Sequence, residues 1–236
     1  MSHGNVESQK VEKFKDDFES TDALRRLERG FDEFGEVVVA SSFGLEDVAI
    51  LDMTYDELGL RPPVIFLDTL HHFDETLELV EEFDDEYDLN LEVYKPEGVE
   101  TREEFEEKYG ERLWETDVER YHELTKLRQI DRALEGRDAW VTGIRREQAE
   151  TREEADAIEW DDGHGLVKIN PLVDWSRGDV VEYVDENDVP YNPLHDEGYL
   201  SIGDEPLTEP VEGEEGERSG RWSGSDKTEC GLHTEN

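Results

Sequence analysis

The chain has 236 residues and carries 66 Asp and Glu against 24 Lys and Arg, a formal charge of −42, with the acids spread along its whole length. That length suits one α/β domain with extensions and leaves little room for a second, and no basic cluster is large enough to neutralise many phosphates, which excludes nucleic-acid binding through a broad surface. Residues 1–15 are polar and no stretch approaches membrane-spanning length, so a cytoplasmic location with no membrane partner is expected.

Taken in chain order, residues up to 34 are predicted helical, with Ser20 or Thr21 capping a run from Asp22 to Glu28. A strand over 37–40 follows, then the loop Ser41-Ser42-Phe43-Gly44 and a helix over 45–58. A second strand at 64–67 ends on Asp68-Thr69, a helix begins near Asp74, and 91–94 is a third strand. Helices are predicted around 101–108 and over 118–134. A strand at 139–142 runs into Gly143-Ile144-Arg145-Arg146. A strand at 166–169 and a helix over 176–187 complete the regular part; Ser176 and Asp179 have capping-box spacing.

Strands alternating with helices predict an α/β fold, a largely parallel sheet with helices on both faces. Ligands of such sheets bind beyond the carboxyl ends of the strands. The loops at 41–44, 68–69 and 143–146 all fall there, so they are expected to line one cleft. From Asp204 onward Gly, Glu and Ser dominate without an apolar period as far as Cys230-Gly231-Leu232-His233, which predicts a mobile C-terminal tail.

The apolar runs Val37-Val38-Val39-Ala40 and Val64-Ile65-Phe66-Leu67 read as buried strands that a solvated acidic chain would not need. The acidity therefore points to a folded protein of a high-salt cytoplasm. At molar salt the Debye length is about 3 Å, and a few cations in direct contact with an anionic ligand outweigh net charge; in dilute buffer the same surface repels itself.

Ser41-Ser42-Phe43-Gly44 offers hydroxyls and N–H groups at a helix start, a place for an anion, though many such turns use Ser and Gly for geometry alone. It is neither a Walker A loop nor a dinucleotide fingerprint. Cys230 is the one cysteine, so neither an internal disulfide nor a thiolate-only metal site can form. His71-His72 with Asp74 and Glu75 reads as a helix start rather than a metal site, and Glu81-Glu82, Asp84-Asp85 and Glu214-Glu215 read as solvated charge.

Ser41-Ser42-Phe43-Gly44-Leu45-Glu46-Asp47 resembles the modified pyrophosphate loop of the sulfonucleotide reductases. Leu67-Asp68-Thr69 with Phe73-Asp74-Glu75-Thr76 is similar to their second nucleotide-contacting segment. The resemblance continues in order through Gly143-Ile144-Arg145-Arg146-Glu147-Gln148 and Thr151-Arg152, Asn170-Pro171-Leu172, Asp174-Trp175, and Tyr191-Asn192-Pro193-Leu194-His195-Asp196 with Gly198-Tyr199, to the catalytic ending Glu229-Cys230-Gly231-Leu232-His233. It spans residues 37 to 233.

The resemblance implies a pyrophosphate-loop, adenine-nucleotide-hydrolase-like fold divided into a helical segment over 1–34, a nucleotide-binding α/β domain over 35–203 and a flexible catalytic tail over 204–236. It implies Cys230 as nucleophile toward the sulfonate of 3′-phosphoadenylyl sulfate (PAPS), with adenylyl sulfate (APS) as the alternative substrate. Ser41, Ser42, Phe43, Gly44, Asp68 and Thr69 would contact the nucleotide. Lys126, Arg145, Arg146, Arg152, Arg218 and Arg221 would supply the cations that let a thiolate approach an anionic sulfur and that lower the thiol pKa. His233 would donate a proton or touch phosphate. Reduced thioredoxin or glutaredoxin would supply the second thiol, and a second copy of the chain, in a homodimer, is a further candidate partner.

Two departures from the family pattern matter. Members with a [4Fe–4S] cluster place cysteines where Tyr121, His122, Asp204 and Leu207 stand here, so neither a cluster nor any other bound cofactor or metal is expected. Leu70 stands where many members have Gly. An ATP-pyrophosphatase-type transferase on the same fold and a non-catalytic nucleotide-binding module are the competing readings; neither needs Cys-Gly-Leu-His.

Overall fold

Val37–Ser41 and Pro63–Leu67 are buried over most of their length, as strands covered on both faces must be. In the computed structural model, which describes residues 3–211, 216–222 and 231, they are β1 and β2 of a six-stranded sheet. The others are β3 (Asn90–Tyr94), β4 (Ala139–Val141), β5 (Ile158–Asp161) and β6 (Leu166–Ile169), in the order β3-β2-β1-β4-β6-β5. All neighbours pair parallel except β5 with β6. Strand order reverses at β1, which lies between β2 and β4, and a crevice opens beyond the carboxyl ends where the order reverses. Among the described residues no helix is long and apolar enough to cross a membrane.

β5 was not expected from the sequence. It closes one sheet edge as the antiparallel partner of β6, Ile158 facing Ile169 and Asp161 facing Leu166.

The helices are α1 (His3–Glu19), α2 (Ala23–Glu33), α3 (Leu45–Asp52), α4 (Asp74–Tyr87), α5 (Arg102–Tyr109), α6 (Leu113–Thr116), α7 (Val118–His122), α8 (Arg128–Leu134) and α9 (Arg177–Glu186). π-helical turns continue α3 over Met53–Glu57 and join α7 to α8 over Glu123–Leu127. The capping box at Ser176 and Asp179 forms reciprocally. The cap of α2 differs from expectation: Asp22 accepts from Arg25 N at 2.8 Å, while the Ser20 and Thr21 hydroxyls donate back to the Asp17 carbonyl and close α1.

The helices over 1–34 are not set apart from the body. Val11, Phe14 and Phe18 of α1 join the same apolar core as β1, β2 and β6. The fully buried Arg26 fastens α2 by donating to the carbonyls of Phe18 (2.7 Å) and Pro171 (2.9 Å) and to the Asp174 carboxylate (2.6 and 2.9 Å).

A second apolar cluster joins Val99, Phe105, Leu113, Trp114, Tyr121, Leu124, Leu207 and Trp222. Its last two members, Leu207 and Trp222, lie within the range that the sequence assigns to the tail. Asp204 and Trp222 are buried, Thr208 bridges Arg221, and His72 bridges Asp204, so residues 204–211 and 216–222 pack on the body. Leu70 has φ +65, the region in which Gly meets no steric cost, and its side chain packs against this cluster.

Candidate functional site

Eight of the expected contacts line one cleft at the carboxyl ends of β1, β2 and β4: Ser41, Ser42, Gly44, Thr69, Lys126, Arg152, Arg218 and Arg221. The cavity measures about 200 Å³. Ile65, Ile130 and Trp140 supply apolar wall, which suits a flat ring with an anionic end better than a bare anion.

The loop after β1 is less open to an anion than its sequence implies. Ser42 donates N–H (2.6 Å) and hydroxyl (2.8 Å) to Asp47 Oδ2, and Phe43 N–H goes to Ser41 Oγ at 3.1 Å. Those donors are used internally, so positive charge in the cleft rests on side chains. Phe43 has φ +56 and lies in the core, edge-on to Phe66 and Phe83, so its side chain does not reach the cleft.

Burial pushes the Asp47 carboxyl up to about 6, against the pull of the Ser42 donors. A carboxyl raised in the folded state above its ordinary 3.8 contributes stability below that value and loses it as pH climbs to the folded value. Asp47→Asn keeps an acceptor for Ser42 and removes the titration. Its melting temperature relative to the parent chain should therefore rise between pH about 4 and about 7; a constant difference across that range would show that Asp47 is solvated.

Asp68 and two arginines lie elsewhere. Asp68 accepts from Leu70 N at 2.9 Å and stands 3.6 Å from Lys95 Nζ, fixing the turn rather than facing the cavity. Arg146 donates to Glu19 at 2.9 and 3.1 Å and to the Ala155 carbonyl at 2.7 Å, tying α1 to the approach of β5. Arg145 is fully buried and meets Glu46 and Glu217.

Four cations remain at the wall. Lys126 Nζ is 2.7 Å from Asp204 Oδ2, and Thr69 Oγ1 donates to Asp204 Oδ1 at 2.7 Å. Burial alone would raise the Asp204 carboxyl, but Lys126 and His72 hold it well below the usual carboxylate range. Arg152 donates to Gln148 at 2.5 Å. Arg218 and Arg221 lie over the Trp222 ring at 5.1 and 5.0 Å, a cation–π geometry. Arg221 also donates to the Ile202 carbonyl at 2.9 Å, and a Cβ on Gly203 would overlap its guanidinium.

Cys230 and His233 lie outside the described residues. Gly231, next to Cys230 in sequence, has φ +94 and is placed so that a Cβ would stand 3.5 Å from Leu127 Cδ2, one residue from Lys126.

Several groups at the cleft had been given no role of their own: Asp47, Gln148 and His195, which stand within the motifs quoted above, and Glu217, which does not. His195 Nδ1 lies 2.7 Å from the Tyr199 carbonyl, an acceptor, so that nitrogen carries the proton. Nε2, an acceptor at the cleft wall, has no hydrogen-bond partner among the described residues, and burial lowers the imidazole pKa.

Tyr121, His122, Asp204 and Leu207 gather around the second apolar cluster but do not fit an iron–sulfur cluster. They offer no thiolate; Tyr121 and Leu207 are packed with Trp222, and the Asp204 carboxylate is paired with Lys126. Among the described residues no group of three or more His, Cys, Asp or Glu is placed to hold a metal ion.

Comparison with known proteins bears on the family and the fold. The model of the phosphoadenosine phosphosulfate reductase domain matches residues 36–210. A phosphoadenosine phosphosulfate reductase of Emericella nidulans is 50% identical over 200 residues, covering 82% of this chain and 65% of that protein. An adenosine 5′-phosphosulfate reductase of Lysinibacillus sphaericus is 39% identical over 235 residues, covering 99% of each. The crystal structure of a phosphoadenylyl-sulfate reductase from Candida auris, solved as a phosphate complex, superposes with a TM-score of 0.78 at 34% identity, over 89% of this chain and 98% of that one.

Proposed function

This chain belongs to the phosphoadenosine phosphosulfate reductase domain family, enzymes that reduce a sulfonucleotide in sulfate assimilation, and from that premise we propose that its substrate is PAPS and its nucleophile is Cys230. The observation that carries the reading is the convergence of Lys126, Arg152, Arg218 and Arg221 on one cleft with an apolar wall, together with Gly231 beside Leu127.

In the proposed first step the Cys230 thiolate attacks the sulfonate sulfur. A sulfur–sulfur bond forms as the bond from that sulfur to the bridging phosphate oxygen breaks. Adenosine 3′,5′-bisphosphate leaves with the electron pair, and the enzyme holds an S-sulfocysteine. A thiolate of reduced thioredoxin or glutaredoxin then attacks Cys230 sulfur and expels sulfite, and the donor's second thiol resolves the mixed disulfide. Two electrons pass from the donor dithiol to sulfur. With one cysteine in the chain, the resolving thiol has to come from the partner.

The cations have two tasks. They offset the charge of nucleotide and sulfonate, and they favour the thiolate over the thiol. His233 is proposed as a phosphate contact or proton donor at the same place.

Both PAPS and APS reductases stand among the relatives. PAPS is favoured by the absence of thiols at the four cluster positions, and the protein should purify without iron. The test is sulfite release from each nucleotide, with reduced thioredoxin, in molar potassium chloride. Faster release from PAPS is expected; faster release from APS would reassign the substrate while leaving the chemistry in place.

A further inference from the structure

Arg145 meets two carboxylates where the sequence suggested a substrate anion. Its Nε lies 2.8 Å from Glu46 Oε1, and Nη2 lies 2.6 and 2.8 Å from the two oxygens of Glu217. Arg177 Nη1 reaches the same Glu217 Oε1 at 3.2 Å while donating to the Leu200 carbonyl at 2.8 Å. Glu46 on α3, Arg145 after β4, Arg177 opening α9 and Glu217 on the returning C-terminal segment thus form a network, joined by Glu147 at 3.7 Å from Arg145 Nη1, of two guanidiniums and three carboxylates. The side chains of Glu46 and Glu217 are only 14% and 15% exposed, and Arg145 is fully enclosed, so each carboxylate depends on its guanidinium for solvation.

The segment that carries Glu217 has a second anchor. Trp222 is buried in the aromatic cluster, and its backbone N–H donates to the Leu207 carbonyl at 2.9 Å. Glu209 N–H donates to the Gly220 carbonyl at 2.9 Å, an approach so close that a Cβ on Gly220 would overlap Glu209 O. Between these anchors run Arg218 and Arg221, both facing the cleft. Trp222 fixes one end of this turn in the aromatic cluster, and the Glu217 carboxylate, held by Arg145 and Arg177, fixes the other.

We infer that Glu217 is a positioning residue: Arg145 and Arg177 form a dock for its carboxylate, and the docked Glu217 sets Arg218 and Arg221 at the cleft wall. Arg145 then acts on the substrate through this turn and does not touch it. The identity of the anion that Arg218 and Arg221 meet rests on the reductase reading; the dock is independent of it.

The test uses Glu217→Gln and Glu217→Asp in the full chain, in molar potassium chloride, with two readouts. Trypsin cleavage after Arg218 and Arg221, followed by mass spectrometry, should be about tenfold faster or more in the Gln variant, because charge-assisted hydrogen bonds that resist local opening are weakened. Asp, which keeps the charge, should restore part of the resistance, and the melting temperature of both variants should stay close to that of the parent. Affinity for adenosine 3′,5′-bisphosphate, measured by calorimetry, should fall with the Gln substitution. Unchanged cleavage in Glu217→Gln would overturn the dock. Tighter nucleotide binding by Glu217→Gln would also overturn it, since Glu217 would then be a carboxylate competing with the substrate for its cations. If the parent chain fails to release sulfite from PAPS but the order of cleavage holds, the dock stands and the reductase reading falls.

Discussion

Cys230→Ser should reduce sulfite release from PAPS at least about a thousandfold, equivalent to roughly 4 kcal/mol of barrier, while leaving affinity for adenosine 3′,5′-bisphosphate within a small factor. The chain has no other cysteine, so no neighbouring thiol can substitute. The reaction needs a soft, ionised nucleophile, and a thiol reaches that state near neutral pH when cations surround it, whereas a serine hydroxyl does not. The cations assigned to the nucleotide, Lys126, Arg152, Arg218 and Arg221, are on other residues and remain at the cleft wall, which is why binding should survive. Steady-state sulfite assays with reduced thioredoxin, beside calorimetry with the bisphosphate, separate the two effects. Substantial turnover by the Ser variant would remove Cys230 from the chemistry.

Lys126→Met should have the largest effect on folding, a loss of about 3–5 kcal/mol, because it strands a buried carboxylate. Asp204 is 1% exposed and Lys126 10%, with Nζ 2.7 Å from Oδ2. Asp204→Asn added to Lys126→Met removes the stranded charge and keeps an acceptor for the Thr69 hydroxyl. The double variant should recover most of the stability, and the coupling between the two substitutions measures the pair. Sulfite release should not recover with it, since the cleft still lacks the Lys126 cation. The sign with pH is fixed by the same pair. A carboxyl held below its ordinary value contributes stability above that value and loses it only as pH falls beneath the usual carboxylate range. Denaturant unfolding at constant molar salt provides the numbers, and a Lys126→Met chain as stable as the parent would show the pair to be solvated.

Much of the body was legible because burial on both faces leaves a signature in composition. Val37 to Ala40 and Val64 to Leu67 could hardly be anything but central strands, and the loops after them had to fall at one end of the sheet. Ile158–Asp161 left a weaker trace. It is short, half acidic and on the edge, so one face needs no apolar residues; its signal was Ile158 alternating with Glu159 and Trp160 ahead of the Asp162-Gly163 turn.

At the site, residue type was legible and direction was not. Arg145 and Arg146 are consecutive yet diverge, one to Glu46 and Glu217 and the other to Glu19. Phe43 belongs to the loop by sequence and to the core by its positive φ. The segment after Asp204 lacks a periodic apolar face and so resembled a tail. Its described residues are held by single side chains at irregular spacing: Asp204 on Lys126, Leu207 and Trp222 in the aromatic cluster, and Glu217 on Arg145. Periodicity cannot register such anchors. Glu217 was further hidden among neighbouring acids that read as solvent-facing charge.

The most direct test of the central claim is a single-turnover reaction with reductant left out. The protein is mixed with PAPS in molar potassium chloride, quenched, digested and analysed by mass spectrometry, with nucleotide release followed in parallel. One SO₃ group on the peptide containing Cys230, formed together with one equivalent of adenosine 3′,5′-bisphosphate and discharged as sulfite when reduced thioredoxin is added, is the expected result. Release of the bisphosphate with Cys230 unmodified, or a PAPS pool left intact by a folded protein that binds it, would contradict the assignment.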